Sequence, residues 1–269
     1  MLKRKHLWWD ELSKDEILAD VKECDIAILP IGAIEQHGPH CPCGSDAYNA
    51  KGLAELVAKK TGAMLLPLVQ YGAHPYHHWY MPGTLPLSYE THVGMLCDIV
   101  RGAAVAGYTK FFILSAHGQL ATTLIAVNKL GLEGYFTLSC HWYDFLRDSQ
   151  NILETPMVHA DEAETSMALY LYPQYVDMSL AVDDGGEPLI DRKFIMLPGM
   201  TPKPGQLYYF EGTTARPEYK ELKTGIIGWP TKATVDKGEK VVTTAVDHIS
   251  AIIEDVKNKY PVGVKPPVK

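Results

Sequence analysis

Apolar positions along the chain follow two spacings in turn. Ile26 to Pro30, Met64 to Val69, Lys110 to Ser115 and Tyr135 to Cys140 are short, nearly continuous runs with the length of strands buried on both faces. Between them the apolar residues recur every three or four positions. Ala47 to Lys60 carries Leu53, Leu56 and Val57 on one stripe, with Lys59 and Lys60 in the last turn before Gly62, so it predicts a helix with a well-formed stop. Tyr89 to Gly107 repeats the pattern through Val93, Leu96, Ile99 and Val100. Gln119 to Leu132, Asp161 to Tyr172 (closed by Pro173) and Lys237 to Tyr260 complete the helices. Strand alternating with helix predicts an α/β chain with a parallel sheet and helices on its faces. From Asp183 to Pro230 the chain is rich in Gly and Pro and loses periodicity. Compact domains usually keep so long an excursion only for a site or an interface.

Composition narrows the picture. A chain of 269 residues, 46% hydrophobic and 21% charged, has a core to bury and is expected to form one domain over 1–269. A net charge of −7 without a long basic run argues against nucleic acid as a partner. No apolar stretch approaches the roughly 20 residues that span a bilayer, and the N-terminus lacks a signal-like apolar run, so a cytoplasmic chain without a membrane partner is expected. Five cysteines are too few, and odd in number, for a disulfide framework, so reduced thiols are expected. Cys41 and Cys43 form C-x-C without a second pair and read as packing thiols rather than a zinc knuckle.

Polar residues able to bind metal gather just after strands, where open α/β sheets place their ligands. The first strand runs into Glu35, His37 and His40. Asp46 follows at the start of a helix, and the strand ending at Ser115 delivers His117. Taken singly, each has a structural reading: Asp46 as an N-cap, His37 as a hydrogen-bonded loop residue and His117 as a satisfied histidine at a strand end. Together, Glu35, His37, Asp46 and His117 are the mixed nitrogen and oxygen donors that suit Zn²⁺ or Mn²⁺, and also Fe²⁺. A further cluster, His159 to Ser166, opens a helix. The helix dipole accounts for Asp161 and Glu162 but not for His159, which suits a general acid and base beside a metal, with Glu164 orienting it or reaching the metal. The loop from Tyr71 to Thr84 is rich in aromatic residues and histidine and reads as a substrate wall or an oligomer contact. His78 in that loop and Gln119 are the candidate substrate contacts. No G-x-G-x-x-G, P-loop or G-x-S-x-G is present, which argues against a dinucleotide, an NTP or a serine nucleophile.

The run Leu29 to His40 with Asp46, the Pro82-Gly83-Thr84 turn, His117-Gly118, and His159 with Glu164-Thr165-Ser166 resemble the creatininase family of metal-dependent amidohydrolases. The resemblance implies a three-layer α/β/α sandwich with a mostly parallel sheet, a site for one or two divalent metals, a small-molecule substrate, and a homo-oligomer, specifically a hexamer. By position, Glu35, Asp46 and His117 resemble the ligands of one metal, while His37 and a bridging Asp46 resemble those of the second. His159 resembles the catalytic histidine and Glu164 its acidic companion. Creatininase completes the second site with a glutamate where this chain has Gln119, and a neutral amide is the poorer ligand. The stretch from Phe145 to His159 is shorter than the tryptophan-bearing lid of creatininase and offers Thr155 and Pro156 instead, which points away from creatinine. Relatives act on a pyrimidine nucleotide or on an oxidised inositol ring. With no clustered Lys or Arg near the motifs, a neutral cyclic amide or cyclic diketone is the expected substrate. The rival readings are a metal-dependent sugar isomerase or epimerase, and a catalytically silent metal-dependent binding protein.

Overall fold

The structure is a computed structural model that describes residues 5–74, 78–79, 81–146, 151–185, 191–197, 200–201, 203–208 and 223–267. Four parallel strands, β1 (Ile26–Ile31), β2 (Met64–Leu65), β3 (Lys110–Ser115) and β4 (Phe136–His141), lie in the order β2-β1-β3-β4. β1 and β3 run side by side in full register, Ile26 opposite Lys110 and Ile31 opposite Ser115.

Every residue of β1 and β3 is buried, so the strand period of two divides their side chains between two cores. Ile26, Ile28, Phe112 and Leu114 face one core, and Ala27, Leu29, Phe111 and Ile113 the other. The first core is closed by α2 (Ser45–Thr61), α5 (Glu162–Leu171) and α6 (Val235–Lys259) through Leu53, Val57, Met167, Val242 and Ile249. The second is closed by α1 (Lys14–Asp20), α3 (Tyr89–Val105) and α4 (Leu120–Leu132) through Ile17, Leu96, Val100 and Leu130. Helices on both faces of the sheet make the three layers that the sequence implies.

Some elements differ from expectation. β2 is two residues long instead of running to Val69, because Pro67 has no N–H to offer the ladder, and Val69 keeps only an isolated bridge to Ile31. α1 was not anticipated. It is short and buries one apolar side chain, Ile17, and it is started by a capping box in which Ser13 and Glu16 satisfy each other's backbone N–H. Asp161 caps α5 instead of lying inside it. Part of the Gly- and Pro-rich 183–230 stretch lies outside the described residues. Within the described part, β5 (Ile195–Met196) pairs with β6 (Leu207–Tyr208).

This topology fixes where ligands can gather. The chain leaves β1 through α2 toward β2 on one side and leaves β3 through α4 toward β4 on the other, so a crevice opens at the carboxyl ends of β1 and β3. Gly32 sits at that end of β1. A Cβ there would lie 2.4 Å from the Ala47 backbone nitrogen, so the absence of a side chain lets the first turn of α2 close onto the crevice.

Candidate metal centre

Five segments deliver side chains to this crevice. Glu35 and His37 follow β1, Asp46 lies in the first turn of α2, and His74 and His78 come from the loop after β2. His117 stands two residues beyond β3, while His159 and Glu164 flank the start of α5. The 32–40 segment is clamped from both sides, with Glu35 N donating to Cys43 O (2.8 Å), Gln36 N to Thr84 Oγ1 (3.2 Å) and Leu85 N to Ile34 O (2.9 Å). The Pro82-Gly83-Thr84 turn thus has a structural role: it holds the backbone that carries Glu35 and His37. All eight side chains are buried except Glu164, which is 12% exposed.

The ligand atoms converge. His117 Nδ1 lies 3.1 Å from Glu35 Oε2 and 3.0 Å from Asp46 Oδ2, and His37 Nε2 lies 3.3 Å from Asp46 Oδ1. Bonds of about 2.0–2.1 Å to a tetrahedral cation would put its ligands about 3.3 Å apart, which is the spacing found. Asp46 therefore turns one oxygen toward each histidine, as a bridging carboxylate does. His74 Nδ1 (3.2 Å) and His78 Nδ1 both contact the other Glu35 oxygen.

Backbone acceptors settle which ring nitrogens carry protons. His117 Nε2 donates to Ala73 O (3.1 Å), and His37 Nδ1 donates to Glu35 O (3.0 Å), because a carbonyl can only accept. In the neutral rings His117 Nδ1 and His37 Nε2 then hold lone pairs aimed at carboxylates, an arrangement that repels unless a cation lies between them. His37 Nε2 and both Asp46 oxygens are buried with no hydrogen-bond partner among the described residues. The N-cap reading of Asp46 is thereby replaced: Gly44 holds the cap position of α2, and the Asp46 carboxylate faces the crevice.

The electrostatics reflect the same mismatch. Burial works against charge on His117, yet Glu35 and Asp46 outweigh it and hold the ring's pKa up at about 10. His37 is raised well above the usual histidine range by Asp46 and Glu164, again against burial. Burial would raise Asp46, but His37 and His117 pull it down to about 2. With no cation present, protons on these histidines balance the carboxylates.

His159 behaves differently. Burial drives its pKa well below the usual range despite the pull of Glu35, so the ring is neutral. Its Nε2 donates to Gln36 O (2.6 Å), leaving Nδ1 as the lone-pair nitrogen, 3.4 Å from Glu35 Oε2. Backbone hydrogen bonds to Ile227 on both sides (3.1 and 3.0 Å) pin the residue. Glu164, read as either orienting His159 or reaching the metal, places Oε2 3.6 Å from His37 Nε2, and among the described residues no hydrogen bond or ion pair joins it to His159.

The two candidate substrate contacts separate. His78 is in the cluster, its ring 4.2 Å from that of His159. Gln119 is committed to backbone: its oxygen accepts from Ala73 N (3.2 Å) and its nitrogen donates to Gly32 O (3.2 Å). Glu162 braces the 151–158 segment, accepting from Glu154 N, Thr155 N and Lys237 Nζ, which is more specific than a dipole effect. No disulfide forms, and Cys43 is exposed rather than packed. His74 is the ligand-type residue that the sequence reading did not single out; its only signal was membership of the histidine-rich loop.

Known proteins are similar to this chain over most of its length. Residues 10–253 match the Creatininase family, described as creatinine amidohydrolase. A 3-dehydro-scyllo-inosose hydrolase of Thermotoga maritima is 31% identical over 278 residues, 98% of this chain and 88% of the relative. A creatinine amidohydrolase of Pseudomonas putida is 29% identical, covering 76% of this chain and 86% of the relative. A crystal structure of creatinine amidohydrolase superposes with a TM-score of 0.75 at 24% identity, covering 96% of this chain and 99% of that one.

Proposed function

This chain belongs to the creatininase family, and on that premise we propose that it is a metal-dependent hydrolase that opens a small polar ring with an activated water. One observation carries the reading: Glu35, His37, Asp46 and His117 meet in a buried crevice, with His37 Nε2 and both Asp46 oxygens lacking any hydrogen-bond partner among the described residues. Glu35, Asp46 and His117 would hold a divalent cation, and His37 with the second Asp46 oxygen would begin a second position. The mixed donors suit Zn²⁺ or Mn²⁺ and are compatible with Fe²⁺. When bound, such a cation polarises a carbonyl and lowers the pKa of a water toward about 7.

The protein's own groups do the rest. His159, neutral and with Nδ1 turned to the cluster, accepts the proton that the attacking water gives up and returns it to the leaving nitrogen or carbon as the ring bond breaks. Gln36 O keeps the opposite nitrogen protonated, which fixes the working tautomer. His78 forms a wall beside His159 and is placed to touch substrate. Among the described residues no lysine or arginine pairs with the cluster, which disfavours a phosphorylated substrate and favours a neutral cyclic amide or a cyclic diketone such as an oxidised inositol. The inosose hydrolase relative, matched over nearly the whole chain, supports the diketone.

We also place the protein in the cytoplasm as a homo-oligomer, a hexamer by family resemblance. No helix among the described residues is long and apolar enough to cross a membrane, and exposed Tyr71, Leu85 and Tyr89 offer apolar surface for assembly.

The test is a ring-opening screen in H₂¹⁸O with metal analysis alongside. Hydrolysis places ¹⁸O in the product, whereas isomerisation does not. His159→Ala should keep its metal and lose turnover by about 10²–10⁴-fold. Full activity in metal-stripped protein, or product without label, would refute the reading.

A further inference from the structure

Glu35 divides its two oxygens between different neighbours. Oε2 faces His117 Nδ1 (3.1 Å) and His159 Nδ1 (3.4 Å), on the side where a cation would sit. Oε1 meets His74 Nδ1 at 3.2 Å, and His78 Nδ1 reaches the same oxygen from beside His159. Glu35 and His74 are both fully buried, and a carboxylate can only accept, so His74 donates through Nδ1. The other tautomer would put the N–H on Nε2, which is buried with no acceptor among the described residues. His74 is thus the reverse of His117. In His117 a backbone carbonyl takes the Nε2 proton and frees Nδ1 for a cation, whereas in His74 Nδ1 is itself the donor.

We propose that His74 is a positioning residue: its Nδ1–H holds one Glu35 oxygen so that the other is aimed at His117 and the cation position. The backbone is built to place that donor. His74 O accepts from Trp79 Nε1 (2.9 Å) and from Tyr89 Oη (3.2 Å), which ties the residue both to its own loop and to α3. Ala73 N donates to Gln119 Oε1 (3.2 Å), Ala73 O accepts from His117 Nε2 (3.1 Å), and Leu87 N donates to Gly72 O (2.9 Å). Gly72 must lack a side chain here, because a Cβ would lie 2.5 Å from Gln119 Oε1 and 2.8 Å from the Gly32 oxygen. Gln119 therefore serves the site without touching a cation: it clamps the 72–74 segment, whose last two residues orient His117 and Glu35. Supporting donors of this kind fix a ligand's direction and so set how tightly the metal is held. Without His74, the direction of Glu35 would be left to His78, a side chain placed to touch substrate.

This inference rests on the metal-dependent reading, and binding measurements separate the two. Purified protein is stripped and titrated with Mn²⁺ against a competing chelator, with urea unfolding of each stripped variant to show that it is folded. His74→Phe keeps a ring but loses the donor, and it should weaken the tightest Mn²⁺ step by about 10–100-fold. His74→Asn can place an amide N–H where Nδ1 lies, and it should restore the affinity to within about threefold of wild type. His74→Leu, smaller and equally without a donor, should read the same loss as His74→Phe and takes its place if the phenylalanine variant does not fold. Wild-type affinity in a folded His74→Phe or His74→Leu would overturn the assignment. So would an Asn variant as weak as the apolar ones, since the ring would then act as a ligand or as packing; in either case the hydrolase reading stands. Wild type that binds no Mn²⁺ at all would overturn both.

Discussion

β1 and β3 carry buried charge at both of their ends, and the two ends handle it in opposite ways. At the amino end, Lys110, fully buried, donates to both oxygens of Asp25 at 2.6 and 2.7 Å. Thr109 Oγ1 (2.6 Å) and Gly263 N (3.1 Å) add further donors to the same carboxylate, so the chain supplies its own counter-ion and completes the network. At the carboxyl end, Glu35 and Asp46 lie equally deep but meet only histidine rings, with both Asp46 oxygens unpartnered among the described residues. A fold that closes one charge cluster and leaves the other open marks the open one as the place where a cation from outside completes the balance.

Mutating each end should expose the contrast, and the carboxyl end gives the largest effect on function. Asp46→Asn replaces one carboxylate oxygen with an amide nitrogen and removes the negative charge that both cation positions share, so metal content should collapse and turnover should fall about 10⁴-fold, roughly 5 kcal/mol at the barrier. Stability of the cation-free variant should stay within about 1 kcal/mol of wild type, because His37 and His117 can release their protons once the carboxylate is gone. Metal analysis, turnover and urea unfolding of the stripped protein check this. Retained metal in Asp46→Asn would erase the distinction between the two ends.

The amino end should respond in the reverse sense. Lys110→Met leaves Asp25 as a buried charge without its ion-pair partner, a cost of about 3–5 kcal/mol in unfolding free energy, while metal bound per folded chain is unchanged. Pairing it with Asp25→Leu should recover most of that loss, since neither charge is then stranded. Urea unfolding of the single and double variants decides. A Lys110→Met variant as stable as wild type would mean that Asp25 is already satisfied by Thr109 and Gly263.

The same contrast explains how far the sequence could be read. Strands β1 and β3 were visible as nearly continuous apolar runs buried on both faces, and helices α2 to α6 because their apolar residues recur every three or four positions over lengths that bury a face. α1 has seven residues and one buried apolar side chain, so only its Ser13 and Glu16 cap announced it. Glu35, His37, Asp46 and His117 were legible because each follows a strand or opens a helix beside the crevice between β1 and β3. His74 was not, because a long-range fold of the loop after β2 brings it to Glu35, and neither strand nor helix periodicity encodes that approach. For Glu164 the sequence left two placements open, orienting His159 or reaching the metal, and the structure puts its carboxylate beside His37. The backbone reversal at Ala160 turns it toward His37, and a positive φ at an alanine leaves no mark in sequence.

The smallest expected effect is the most diagnostic of the open end. In the cation-free protein His117 holds its proton up to a pKa of about 10, because Glu35 and Asp46 overcome the effect of burial. A cation taking its place on Nδ1 must displace that proton, so affinity should rise about tenfold, about 1.4 kcal/mol, for each pH unit between 7 and 9, and more steeply if His37 releases its own. The folded pKa is raised, so the imidazolium contributes fully below the ordinary histidine value of roughly 6.5 and its contribution is lost as pH rises toward about 10. Stripped protein should therefore lose thermal stability across that window, and protein saturated with Zn²⁺ should not. Titration calorimetry in buffers of different ionisation enthalpy counts the released protons directly. An affinity flat from pH 7 to 9, with no proton released, would show that the two carboxylates are not balanced by histidine protons and that the resemblance between an imidazolium and a bound cation at this end of the sheet is only geometric.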